Sequence, residues 1–143
     1  MFEHRFPKCE QEGLQLARDA RLPRHICDLQ YNLANTYLAM NDLDAARNAL
    51  CESLTLAQRL DSSPQKVEAV SSAIAYFQCL GLHKQAAQWA GSISDNPILD
   101  QPLFESTCRE IEVSLGDETF KRSLMQGKAR SLDDVVTQIL TDE

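Results

Sequence analysis

Histidine and cysteine are the residue types best suited to metal binding or nucleophilic catalysis, and this chain spaces them in no pattern that either chemistry uses. His4, His25 and His83 have no carboxylate or cysteine at the spacing of a zinc site. His25 and Cys27 are two residues apart, which on a helix directs their side chains to different faces. We therefore expect neither a metal site nor a cofactor.

Catalytic motifs are absent from the sequence as well. It contains no glycine-rich phosphate loop, no His-Glu-x-x-His, no Gly-x-Ser-x-Gly and no Cys-x-x-Cys. A triad assembled from distant serine, histidine and aspartate side chains stays open at this point, but no pattern indicates one. The sequence predicts a protein that is not an enzyme.

The charge distribution argues against a nucleic-acid partner. The formal net charge is −7, whereas proteins that bind DNA or RNA present a basic stripe that displaces counterions from phosphate. Arg18, Arg21 and Arg24 are interspersed with Asp19 and Asp28. We therefore expect no nucleic acid and, for the same reason, no anionic membrane surface as a partner.

Targeting signals and cysteine usage indicate the compartment. Residues 1–8 lack the apolar segment of a secretory signal, and no apolar run approaches the roughly 18 residues that span a bilayer. The five cysteines are odd in number and widely separated, unlike a secreted disulfide framework. The sequence predicts a cytoplasmic protein with reduced thiols.

Apolar residues recur at helical spacing through most of the chain. Between Ile26 and Met40 they fall three or four positions apart, which places them on one face of a helix. Capping residues and glycines mark the predicted starts and ends of the helices. The predicted starts lie at Asp42, at Ser63 followed by a proline, and at Ser131; the predicted ends lie at Gly81, Gly116 and Gly127.

The sequence also repeats itself after 40 residues. At this shift small residues meet small residues, aromatic residues meet aromatic ones, and turn residues meet turn residues. Leu33, Tyr37, Asn41 and Ala46 fall on Ala73, Phe77, Gly81 and Ala86. A pair of antiparallel helices cannot bury its apolar face alone, so repeated pairs must stack. The repeat therefore predicts an all-α helical solenoid.

The residues of the first repeat closely resemble the tetratricopeptide repeat. They are Asn32-Leu33-Ala34-Asn35-Thr36-Tyr37, then Asn41-Asp42-Leu43, then Ala46, Leu50 and Leu54. Leu43 replaces the usual aromatic residue of the turn, and Ser53 replaces a usual alanine. The second copy matches at Ala73, Phe77, Gly81, Ala86 and Ala90, but His83 stands where an aromatic residue is usual.

The resemblance implies a fold and a context. The fold is an all-α, right-handed α-solenoid of about seven or eight helices in antiparallel pairs, with a C-terminal capping segment. The implied units of this single domain are a half repeat over 7–22, a first repeat over 24–60, a second over 64–93, and a degenerate third repeat with the cap over 101–141. The long spacing and the C-terminal segment are similar to the repeat arms of bacterial signalling ATPases and transcription regulators. Such arms sense or dock other molecules.

In that family the first helix of each pair lines a concave groove that binds a protein or peptide. The resemblance places Asp28, Tyr31, Asn32, Asn35, Leu38 and Ala39 in the groove from the first repeat, and Glu68, Ser71, Ala75, Gln78 and Cys79 from the second. One subtype grips a C-terminal carboxylate with lysines, but these positions supply no cation for such charge-assisted bonds. The groove is better suited to an apolar or basic peptide helix.

Two further features leave alternatives open. The N-terminal half repeat lacks its first helix, as expected for a fragment of a larger regulator or for a short adaptor that forms a homodimer through the exposed edge. Trp89 would be either an interface anchor or a packing residue between the second repeat and the helix near Phe104. We favour packing.

Overall fold

The computed structural model describes residues 2–96 and 101–141, with side chains described from residue 11 onward except those of residues 101 and 103. The described residues form eight α-helices and no strand, which confirms the all-α class. The helices are α1 (Phe2–Asp19), α2 (Pro23–Ala39), α3 (Leu43–Leu60), α4 (Ser63–Cys79), α5 (His83–Ile93), α6 (Gln101–Leu115), α7 (Asp117–Lys128) and α8 (Leu132–Thr141). None of these described helices is long and apolar enough to cross a membrane.

The turns between the first five helices recur with a constant spacing. Four residues with positive φ lie 20 positions apart, two residues before each new helix: Arg21 (54°), Asn41 (59°), Asp61 (50°) and Gly81 (82°). The amide that follows each of them donates to the carbonyl five residues earlier, as in Leu82 to Phe77 at 3.0 Å, which closes the preceding helix. Two such helix–turn units make up the 40-residue spacing of the sequence.

Two of the three predicted helix caps are present. Asp42 Oδ1 accepts a hydrogen bond from the Ala45 amide at 3.2 Å, and Ser131 Oγ accepts one from the Asp134 amide at 3.1 Å. The prediction for Ser63 is wrong by one residue. Ser62 is the N-cap of α4, and its hydroxyl bonds to the Gln65 side chain instead of a backbone amide.

Helices α1 to α6 pack against one another in chain order, and α2 also contacts α4, which in turn contacts α6. The last two helices depart from this order. Helix α7 packs on α5 as well as on α6, and α8 lies across α3, α4 and α5. The C-terminal helix therefore closes over elements that precede it by half the chain.

Close contact between α5 and α7 depends on glycine. A Cβ atom at Gly127 would overlap the carbonyl oxygen of Gln88, and one at Gly91 would overlap the carbonyl oxygen of Leu124. The prediction that Gly127 ends a helix is wrong by one residue, since α7 continues to Lys128. Within this last turn Gly127 allows the two backbones to touch. Gly81 and Gly116 are helix-ending residues with positive φ, as predicted.

The core is centred on α4 and α5. Trp89 is fully buried, and its ring packs edge to face against Phe77 with centroids 4.4 Å apart. Phe104 of α6 belongs to the same buried cluster. The packing interpretation of Trp89 is therefore confirmed, because a fully buried ring cannot anchor an interface.

Candidate functional site

Helices α2 and α4 lie side by side with a constant register. Asp28 Oδ1 accepts a hydrogen bond from Gln65 Nε2 at 3.2 Å, and Asn35 Oδ1 accepts one from Ser72 Oγ at 2.9 Å. Both pairs are separated by 37 positions. Because the offset is the same at both points, the two helices run parallel, and equivalent faces of α2 and α4 lie next to each other.

Tyr31 links the same two helices between those points. Its side chain is half-buried and is hydrogen-bonded to Glu68. Burial, and then this hydrogen bond, raise the pKa of the phenol far above its usual value. Tyr31 is therefore a neutral hydrogen-bond donor at any ordinary pH.

The carboxylates beside Tyr31 have no basic partner within the described part of the chain. None of the ion pairs there includes Asp28 or Glu68. Both carboxylates nevertheless raise the pKa of Tyr31 and the pKa of the buried Cys27. For each residue burial is the largest cause of the increase. The structure thus brings Asp28, Tyr31 and Glu68 together into one acidic surface.

The remaining predicted groove positions differ in how far their side chains are exposed to solvent. Ser71, Ala75 and Gln78 are half-buried and continue the α4 face of Glu68 at helical spacing, and Gln78 Oε1 lies 2.5 Å from His83 Nδ1. Leu38 packs against the core instead of standing free. The exposed residues among them are Asn32, Ala39 and Cys79.

Helix α6 extends this surface at the other end of α4. A shallow cavity of about 410 Å³ lies between Gln78 and four residues of α6, namely Arg109, Glu110, Val113 and Ser114. Val113 is the most exposed large apolar side chain among the described residues, at 86%. Sequence reasoning missed these α6 residues because it projected groove positions only from the first two repeats. We call the combined surface of α2, α4 and α6 the acidic face.

A second, apolar cavity lies on the opposite side of α4. Phe77 follows Glu68 by nine residues, two and a half turns, so the two side chains point in opposite directions. The cavity has a volume of about 350 Å³, and its lining includes Leu50, Leu54, Phe77 and Ile139. No sequence pattern indicated it, because its walls come from α3, α4, α5 and the remote helix α8.

Helix α8 occupies the surface next to this cavity. Lys66 is only 4% exposed, and its Nζ lies 2.6 Å from Asp133 Oδ1 of α8 and 2.5 Å from Asp61 Oδ1. The two carboxylates, Asp133 first, raise the pKa of Lys66. At a second point Gln58 Nε2 donates to Thr137 Oγ1 at 3.1 Å. We call the surface of α3, α4 and α5 that α8 covers the α8 seat.

The buried thiol is structural in character. Cys27 Sγ donates to the Ser53 carbonyl at 3.2 Å, and Ser53 Oγ donates to the Cys27 carbonyl at 3.0 Å. This reciprocal bonding joins α2 to α3 and gives the buried Ser53 hydroxyl its hydrogen-bond partner. The described residues bring together no group of three or more metal-binding side chains.

Comparisons with known proteins give no family assignment. No family model, no curated protein and no solved structure matches the chain. The functional argument therefore depends on the acidic face and the α8 seat themselves.

Proposed function

We propose that this chain is a non-enzymatic, tetratricopeptide-like scaffold for protein interaction, whose helix pairs stack as a right-handed α-solenoid. Three features support the proposal: the 20-residue helix–turn units, the packing of α1 to α6 in chain order, and the parallel register of α2 and α4. In such a stack the first helices of successive pairs lie side by side and form one continuous surface.

The acidic face is the partner-binding surface in this proposal. The observation that carries it is the contact between Tyr31 and Glu68, with Asp28 alongside, which concentrates two carboxylates without a basic partner. Opposite charge on a partner complements such a surface and accelerates association. The partner is therefore a basic or amphipathic peptide helix whose lysine or arginine side chains meet Asp28 and Glu68.

The proposed context is the sensing or docking arm of a larger cytoplasmic bacterial regulator. A second candidate is a stand-alone adaptor that forms a homodimer through α1. One observation favours this second candidate: Leu16 of α1 is 70% exposed, and Leu22 of the following turn is 43% exposed. A Leu16→Lys substitution would dissociate a dimer formed through α1 and would leave binding at the acidic face unchanged.

Charge reversal on the acidic face tests the leading proposal. Tagged chains carrying Glu68→Lys or Asp28→Lys would be used to recover partners from the host, with quantification by mass spectrometry. We expect each variant to recover at least tenfold less partner than the unmodified chain recovers. Asp19→Lys, which is exposed at the end of α1, is the matched control and should retain it. Equal recovery by all three variants would refute the acidic face as the binding surface.

A further inference from the structure

The position of α8 is independent of the helix that precedes it in the chain. Among the described helices α8 packs on α3, α4 and α5, and its backbone does not closely approach that of α6 or α7. Residues 129–131 alone connect it to α7. The connection therefore does not determine which molecule supplies the helix that fills the α8 seat.

The seat recognises α8 by an apolar stripe and one charge. Val135, Val136 and Ile139 are buried against it, which supplies most of the binding free energy. Lys66 meets Asp133, in the first turn of α8, at the N-terminal end of the seat. A helix without an acidic residue at this position would leave Lys66 with Asp61 as its remaining carboxylate partner, which weakens the contact modestly because both carboxylates are exposed.

The other end of the seat borders the apolar cavity. Ile139, in the last turns of α8, is buried and forms part of the wall of this 350 Å³ cavity. The Lys66 contact therefore defines the N-terminal end of the seat, and the buried Ile139 side chain defines the other end.

From these observations we propose that the α8 seat is an interaction surface for the α8 helix of a second copy of this chain, so that two copies pair by exchanging α8. The occupant is a second copy because that segment already has the required pattern, an aspartate in the first turn followed by Val135, Val136 and Ile139. Exchange reproduces every contact of the closed monomer, and the three-residue connection has only to change direction. The seat lies on the side of α4 opposite Glu68, so the inference does not depend on the acidic face.

Charge exchange between Lys66 and Asp133 tests this inference. A Lys66→Glu chain and an Asp133→Lys chain each place like charges together in their own seat. When the two chains are mixed, exchange of α8 creates one original pair and one reversed pair, so both seats are satisfied. With one chain labelled by a heavy isotope, native mass spectrometry should show at least ten times more mixed dimer than dimer of either variant alone. A mixture that remains monomeric at about 100 μM, or that forms mixed and like dimers in statistical proportion, would overturn the inference.

A peptide experiment covers the case in which the Lys66→Glu chain fails to fold. The Asp133→Lys chain keeps an intact seat while its own α8 is repelled, so a labelled peptide of residues 129–141 should bind it at least tenfold more tightly than it binds an Asp134→Lys chain. Asp134 is the matched control, because it is also exposed in the first turn of α8 but forms no ion pair with Lys66. The same peptide carrying Asp133→Lys should not bind. Equal affinity of the original peptide for both chains would contradict the inference.

Discussion

Lys66 Nζ lies 2.6 Å from Asp133 Oδ1, and this contact joins two residues 67 positions apart. The Lys66 side chain is only 5% exposed, whereas the Asp133 side chain is 72% exposed. The Nζ atom of Lys66 therefore meets its two carboxylate partners, Asp133 and Asp61, at the solvent-exposed rim of the seat.

We expect Asp133→Asn to destabilise the chain by about 0.5–1 kcal/mol. A hydrogen bond to a charged group is worth about 1.5–3 kcal/mol, but exposure of Asp133 and the remaining partner Asp61 reduce this value. Asp134→Asn should change the free energy of unfolding by less than about 0.3 kcal/mol, because surface substitutions have small effects. Urea unfolding of the two variants measures the difference, and equal stabilities would contradict a stabilising role for the ion pair.

Stability should fall in acid, partly through the same cluster. Hydrogen bonding to Lys66 lowers the pKa of Asp61, so the stability that this carboxylate contributes is present above its unfolded pKa near 4 and is lost as the pH falls through its folded pKa. The pKa of Lys66 is raised, so its contribution is complete below the unfolded value near 10.4 and is lost only as the pH rises through the folded pKa.

Comparison of the unmodified chain with Lys66→Met isolates this effect. The substitution removes the cation that lowers the pKa of Asp61, so the variant should lose less stability between about pH 5 and pH 3. Denaturant titrations at several pH values provide the slopes. Identical slopes for both proteins would show that acid sensitivity arises elsewhere.

The positive-φ turns predict two substitutions of opposite sign. Arg21 has a left-handed backbone conformation that costs about 1–2 kcal/mol for a residue with a Cβ atom. Arg21→Gly should therefore stabilise the chain by about 0.5–1 kcal/mol, after allowance for the greater freedom of glycine in the unfolded state. Gly81→Ala should destabilise it by a similar amount. Thermal unfolding checks both signs, and a loss of stability in Arg21→Gly would contradict this account.

The crossing of α5 and α7 predicts a larger effect at Gly127. The added methyl group of Gly127→Ala would overlap the backbone of Gln88, so the helices must separate, at a cost of at least about 2 kcal/mol. Gly13→Ala is the control. There a Cβ atom would meet only the Leu29 side chain, no closer than 3.8 Å, and alanine is favoured over glycine within a helix by about 1 kcal/mol. Urea unfolding should show opposite signs for the two substitutions.

Local signals in the sequence predicted the helices better than their tertiary roles. Gly116 was recognised as a helix end because positive φ favours glycine wherever it occurs. Gly127 has the same residue type but lies inside α7, and only the distant Gln88 carbonyl explains why it has no side chain. The burial of Lys66 was equally hidden, since a lysine in a helix is ordinarily exposed and its partner Asp133 lies on a remote helix.

Part of the candidate site was likewise predicted from the sequence and part was not. The family resemblance predicted that Asp28, Tyr31 and Glu68 line the groove from two helices, and the structure brings these three residues together. The part contributed by α6, including Val113, was missed because the third repeat is too degenerate for its faces to be aligned with the first two. Which of these residues bind a partner stays a prediction.

The path of α8 also determines how the chain unfolds. Arrays in which each unit touches only its neighbours lose structure progressively, unit by unit. Here α8 fastens residues Gln58 and Lys66 to Thr137 and Asp133, so α4 to α7 lie within a closed loop whose two ends are held together. We expect the amide protons of α3, α4 and α5 to exchange with solvent through a single shared opening, whereas those of α1, which lies outside the loop, exchange earlier and independently.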